Sequence, residues 1–127
     1  MKITKKTIWS LVKKSYAETA KDDDIKNKIA YNDIVFSWNI EDIKFCFTIR
    51  LSGGKITVTE GGTENPDMIF YNKTIDDFHR GNTEQLTGRE MKDADSFRWT
   101  GNDKYMRNIS TLCKSMRAHY KELAREA

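Results

Sequence analysis

Between residues 34 and 60 apolar and polar side chains alternate. Ile34, Phe36, Trp38 and Ile40 fall on one side of such a segment, and Val35, Ser37 and Asn39 on the other. Ile43, Phe45, Phe47, Ile49 and Leu51 repeat the pattern against Lys44, Cys46, Thr48 and Arg50. Ile56 and Val58 continue it against Lys55, Thr57 and Thr59. A period of two belongs to strands, because successive side chains leave opposite faces of a pleated chain. The pattern predicts an antiparallel sheet with one buried face. Gly53-Gly54 supplies the positive φ that a tight hairpin needs. "SGGK" superficially resembles a phosphate loop, but it lacks the spacing of one and has strands on both sides.

The chain's single proline, Pro66, opens the stretch "NPDMIFYNKTIDDFHRGN". Proline has no N–H to give a sheet, so it belongs at the start of a strand or on its edge. A fourth strand is therefore predicted over residues 67–71. Thr74 is a good N-cap, with Asp77 at the capping-box position and Asp76 favouring the positive helix start. Gly81 is expected to end that helix. A short helix should follow within residues 82–94. "SFRWTGN" predicts a fifth strand, with Phe97 and Trp99 alternating against Arg98 and Thr100.

Helical periodicity marks both ends. Ile8, Leu11, Val12 and Tyr16 form one stripe in residues 4–20, with Trp9 beside it. Met106, Ile109, Cys113, Met116, Tyr120 and Leu123 form another after Asp103, extended by Tyr105 and Leu112. Residues 21–33 read as a loop or a short second helix.

A chain of 127 residues fits one domain spanning residues 1–127. Apolar residues are 38% and charged residues 32%, a composition that excludes disorder and a membrane span. No apolar signal core follows Met1-Lys2-Ile3-Thr4-Lys5-Lys6, so the expected compartment is the cytoplasm. There Cys46 and Cys113 are expected as free thiols. The net charge of +3 is unevenly spread: residues 1–14 hold five lysines and no acid, while the middle is acidic. Basic ends of this kind are ordinary solvated helix faces, or a surface for transient contact with an anionic membrane. No nucleic-acid partner is expected, because the basic helix lacks interleaved aromatics for base stacking.

The order of elements, the glycine turn, "NPD" before a strand, the "TIDDF" helix start, Gly81 and "FRWTGN" before the last helix resemble the sterol carrier protein-2 family. The resemblance covers residues 44–116. Asn102 stands where the family usually has an acid, and residues 83–95 are more polar than the family's helix there. The resemblance implies an α+β fold, a five-stranded, mainly antiparallel sheet with helices covering one face around an apolar cavity. It also implies binding of a lipid or fatty-acyl ligand without covalent chemistry and without a cofactor. The residues placed to line such a cavity are Phe36, Trp38, Phe45, Phe47, Ile49, Phe70, Phe78, Trp99, Met106, Ile109, Cys113 and Met116.

Catalytic chemistry finds little to work with. His79 and His119 are the only histidines, and neither has a nucleophile at a recognisable spacing. Cys113 faces the expected core, and no metal-ligand spacing occurs. Two classes of function remain: a non-catalytic binder or carrier of an apolar ligand, and a protein-interaction or homodimerisation module with a closed core.

Overall fold

The computed structural model describes residues 3–29 and 32–126. Two helices come first, α1 (Lys5–Thr19) and α2 (Asp23–Ile29). Three strands follow, β1 (Ile34–Ile40), β2 (Phe45–Ser52) and β3 (Lys55–Glu60). Then come β4 (Met68–Asn72), α3 (Ile75–Asn82), α4 (Gly88–Asp93), β5 (Phe97–Gly101) and α5 (Met106–Glu126). The sheet order is β3-β2-β1-β4-β5. Three neighbouring pairs are antiparallel and β1 with β4 is parallel. The sheet is thus mainly antiparallel, as expected, and mixed. Side-chain alternation is blind to the direction of a neighbour, so the parallel pair has no signature in the sequence.

Asp67 explains the proline stretch. Its N–H donates to the Val35 carbonyl at 2.7 Å, and its carboxylate accepts the Val35 N–H at 2.9 Å. Its own carbonyl accepts the Asn102 N–H at 3.0 Å. One residue therefore ties the start of β1 to the end of β5. Gly101, at φ 119°, lets β5 run close against this point.

Several boundaries differ from the sequence reading. Ile43 lies in a short 3-10 turn, Glu41–Ile43, and not on the face of β2. Lys44 then adopts a left-handed conformation (φ 50°) that resets the chain for Phe45. Gly81 sits inside α3 and does not end it; Thr83 is the C-cap. A Cβ at Gly81 would come within 2.8 Å of the Met91 methyl, the mobile end of a flexible side chain on α4. Asn102 caps a 3-10 turn, Asp103–Tyr105, that leads into α5. Thr74 does cap α3, accepting the Asp77 N–H at 3.0 Å. α4 carries a complete Thr87/Glu90 capping box, which holds a six-residue helix together despite its low intrinsic stability.

The helices gather over the face that carries Phe36, Phe47 and Phe70. Trp9 of α1 meets Phe45 edge-on at 5.5 Å and lies 5.7 Å from Phe47. α5 packs along α1, with Ile109, Leu112, Met116 and Tyr120 all buried. Burying each such side chain contributes about 1.5–3 kcal/mol. On the opposite face, Ser37 and Thr48 are buried as a hydroxyl pair 3.1 Å apart, and Thr48 also donates to the Gly61 carbonyl at 2.7 Å.

Candidate functional site

The packing is uneven across the sheet. Over β2, Trp9 of α1 closes the layer against Phe45 and Phe47. Toward β4 and β5 the layers part, leaving two compartments. The wider, about 470 Å3, lies between the sheet and the α3–α4 turn. The narrower, about 230 Å3, lies between β4–β5 and α5. Trp38, Phe97 and Arg117 line both.

Strand register builds the aromatic floor. Trp38 pairs with Phe70 across β1–β4, and Asn72 with Phe97 across β4–β5. The rings stack in sequence: Trp38 on Phe70 at 4.8 Å, Trp38 on Phe97 at 5.9 Å, Phe70 on Phe97 at 6.2 Å. Offset stacking of this kind fixes ring planes beyond what burial alone does. Buried Asn72 holds the indole by accepting its N–H at 2.7 Å, and its amide points to the Met91 sulfur at 3.6 Å. Phe78 closes one wall, edge-on to Trp38 at 5.8 Å. Asn82 donates to the Phe78 carbonyl at 2.9 Å, so its buried amide is satisfied.

Seven of the twelve residues expected around a cavity border these compartments. Trp38 and Phe78 line the wider one; Phe70, Trp99, Met106, Ile109 and Cys113 join Trp38 along the narrower. Phe36, Phe45, Phe47, Ile49 and Met116 line neither and lie in the packed core. Trp9 of α1 lies over Phe45 and Phe47 and takes up the space above those two rings. The sequence reading missed Asn72, Asn82, Leu86, Thr87, Met91 and Arg117; Phe97 shares the strand face predicted for Trp99. The α3–α4 residues lie in a polar stretch with no periodicity to read. Arg117 lies one residue beyond Met116, beside the apolar stripe of α5.

Burial favours the neutral forms of Cys113 and His79. Burial pushes the Cys113 thiol up to about 11, against the smaller opposing pull of Arg117. Cys113 Sγ lies 3.9 Å from the buried Tyr16 hydroxyl. His79 Nδ1 is 2.9 Å from the buried Tyr120 hydroxyl. Burial holds His79 below its ordinary value of 6.5, with Asp76 partly opposing. Its unfolded form therefore takes up a proton first as the pH falls. Stability is accordingly expected to drop below pH 6.5 and to level off below the folded value. Asp22 adds a second decline at lower pH, since hydrogen bonds from Ser115 and His119 hold its carboxyl below 3.8. Urea midpoints from pH 8 to pH 3 should fall in two stages, and His79→Gln should remove the upper one.

A broader depression of about 720 Å3 lies where Asp22, Asp23 and Asp24 face Lys114 and His119 on α5. It is a polar surface hollow away from the sheet. Among the described residues no His, Cys, Asp and Glu cluster could hold a metal ion. No helix among them is long and apolar enough to cross a membrane.

Neither a protein-family model nor a curated protein sequence matches the chain significantly. Solved structures do match. Sterol carrier protein domain 2 of Helicoverpa armigera superposes with a TM-score of 0.70 at 16% identity, covering 87% of this chain and 88% of that one. Palmitated SCP2L2 from Aedes aegypti gives 0.59 at 15% identity, covering 84% of this chain and 90% of that one. The sec-alkylsulfatase Pisa1 from Pseudomonas sp. gives 0.57 at 17% identity; 70% of this chain matches, and only 14% of the sulfatase. The chain therefore has the sterol carrier protein-2 fold. The same architecture also resembles a small part of a much larger enzyme.

Proposed function

We propose that this protein binds an apolar, lipid-like molecule without transforming it, in the compartments between the β4–β5 end of the sheet and helices α3, α4 and α5. The observation that carries the reading is the stacked Trp38–Phe70–Phe97 floor, whose Trp38 and Phe97 stay half-buried while Trp9 of α1 closes over Phe45 and Phe47 on the same face. A volume of about 470 Å3 falls within the range of roughly 300–1,000 Å3 typical of small-molecule sites. Met91 and Met106 border the two spaces, and methionine adapts its shape to a flexible chain. The fold adds support, because one protein that shares it carries palmitate.

A non-catalytic role fits the chemistry of the walls. Cys113, the thiol on the narrower compartment, stays protonated near neutral pH, and His79 is engaged with Tyr120. The bound state needs no cofactor in this reading.

Binding to the native state alone stabilises by about 2.7 kcal/mol at a hundredfold excess over Kd. For a chain of this size that is a rise in Tm of several degrees. Thermal unfolding with hexadecanol and palmitic acid, delivered from cyclodextrin, should show it. An unchanged Tm across both, with a stable dimer by native mass spectrometry, would favour the interaction module instead.

A further inference from the structure

We infer that Arg117 selects the head group of the ligand, so that the site takes single-chain amphiphiles ending in a carboxylate in preference to neutral ones. This rests on the reading of the compartments as a lipid-like site and adds its polar end. Arg117 is the one cation on the walls of either compartment among the described residues, and it lies on both. It is half-buried beside Trp38 and Phe97. Its guanidinium takes part in none of the ion pairs or side-chain hydrogen bonds among the described residues; the same holds for Arg50, Arg89 and Arg107, but those are exposed, and the other half-buried arginine, Arg80, faces Asp76 at 4.0 Å.

The wall does hold one carboxylate, Glu84. Glu84 is already engaged by Lys121, whose Nζ lies 3.0 Å from its Oε2. The charge of Arg117 nevertheless reaches into the site: it adds to the lowering of the Glu84 carboxyl that Lys121 chiefly causes, and it opposes part of the rise that burial gives the Cys113 thiol. A partly desolvated guanidinium with no carboxylate hydrogen-bonded to it is an unfavourable arrangement that a ligand carboxylate relieves. The planar fork matches a carboxylate with two parallel N–H donors, and its aliphatic stem can lie along the aromatic floor. Ser110 supplies the remaining polar side chain of the narrower compartment. Everything else there is hydrocarbon, aromatic ring or sulfur, which suits a tail and not a second polar group.

The test compares palmitic acid with hexadecanol, which share chain length and differ at the head, by displacement of a bound fluorescent probe at pH 8. Wild-type protein should bind the acid at least tenfold more tightly, with the preference shrinking as salt is raised. Arg117→Met keeps the stem and removes the charge. It should cut acid binding about tenfold, leave the alcohol within twofold and so erase the preference, while Arg117→Lys keeps part of it. Equal binding of acid and alcohol to wild type, or a preference that survives in Arg117→Met, overturns the assignment of Arg117 and leaves the lipid site standing. Binding of neither ligand overturns both.

Discussion

Gly101→Ala is expected to cost at least about 3 kcal/mol, a large share of the roughly 5–15 kcal/mol that holds a domain folded. Two effects add. The backbone at Gly101 has φ 119°, a conformation L side chains rarely adopt. An added methyl would also overlap the Asp67 carbonyl oxygen and sit 2.8 Å from Met68 Cα. Both obstacles are backbone of the strand that β5 pairs with, so no side-chain rotation makes room. The displaced carbonyl is the acceptor of the Asn102 N–H, so the entry to α5 loosens as well. Gly53→Ala is the control. Gly53 also has a positive φ, 58°, but open space around it, and about 1 kcal/mol is expected there. Urea denaturation of the pair separates crowding from backbone preference, and equal losses would mean that β5 does not approach Asp67 as described.

The second large effect is at Phe78. Its ring is 2% exposed and meets Trp38 at 5.8 Å, Phe47 at 6.1 Å and Tyr120 at 6.3 Å, each close to edge-on. It thus joins the sealed half of the core, the uncovered half and α5. Truncation to alanine should cost about 3–5 kcal/mol, the usual range for a buried Phe. Phe78→Leu keeps most of the volume and should cost less than about 1.5 kcal/mol. Trp99→Ala, on the half-buried rim of the narrower compartment, should lie well below Phe78→Ala despite the larger ring removed. Denaturation midpoints of the three variants check the order, and a Trp99 loss equal to that of Phe78 would place the rim inside the packed core.

Much of this architecture could be read beforehand. Ile34, Phe36 and Ile40, and Phe45, Phe47, Ile49 and Leu51, share a face because strand geometry leaves no choice once the period is two. Thr74 marks its helix start by chemistry local to four residues. Ile43 misled because apolar character says nothing of the turn made just before the strand. Gly81 misled because a glycine inside a short helix looks the same as one that stops it. The compartments were half legible for a related reason. Periodicity identifies inward faces, and Trp38, Phe70 and Ile109 are inward. It does not say which inward faces another element then covers, and Phe45 and Phe47 lost their access to Trp9 of a helix more than thirty residues earlier. Arg117 left no signal at all, since an arginine beside an apolar stripe is ordinary on a surface helix.

The most direct test uses the methionines as reporters. Met91 and Met106 border the compartments, whereas Met68 and Met116 are buried in the packed core. With the methionine methyl groups labelled with carbon-13, isotope-filtered NOEs to the methylenes of unlabelled hexadecanol should appear at Met91, Met106 or both. Met68 and Met116 should show none. Contacts confined to Met68 or Met116, or no contacts at any of the four with alcohol in excess, would contradict the placement of a hydrocarbon chain between the sheet and α3, α4 and α5.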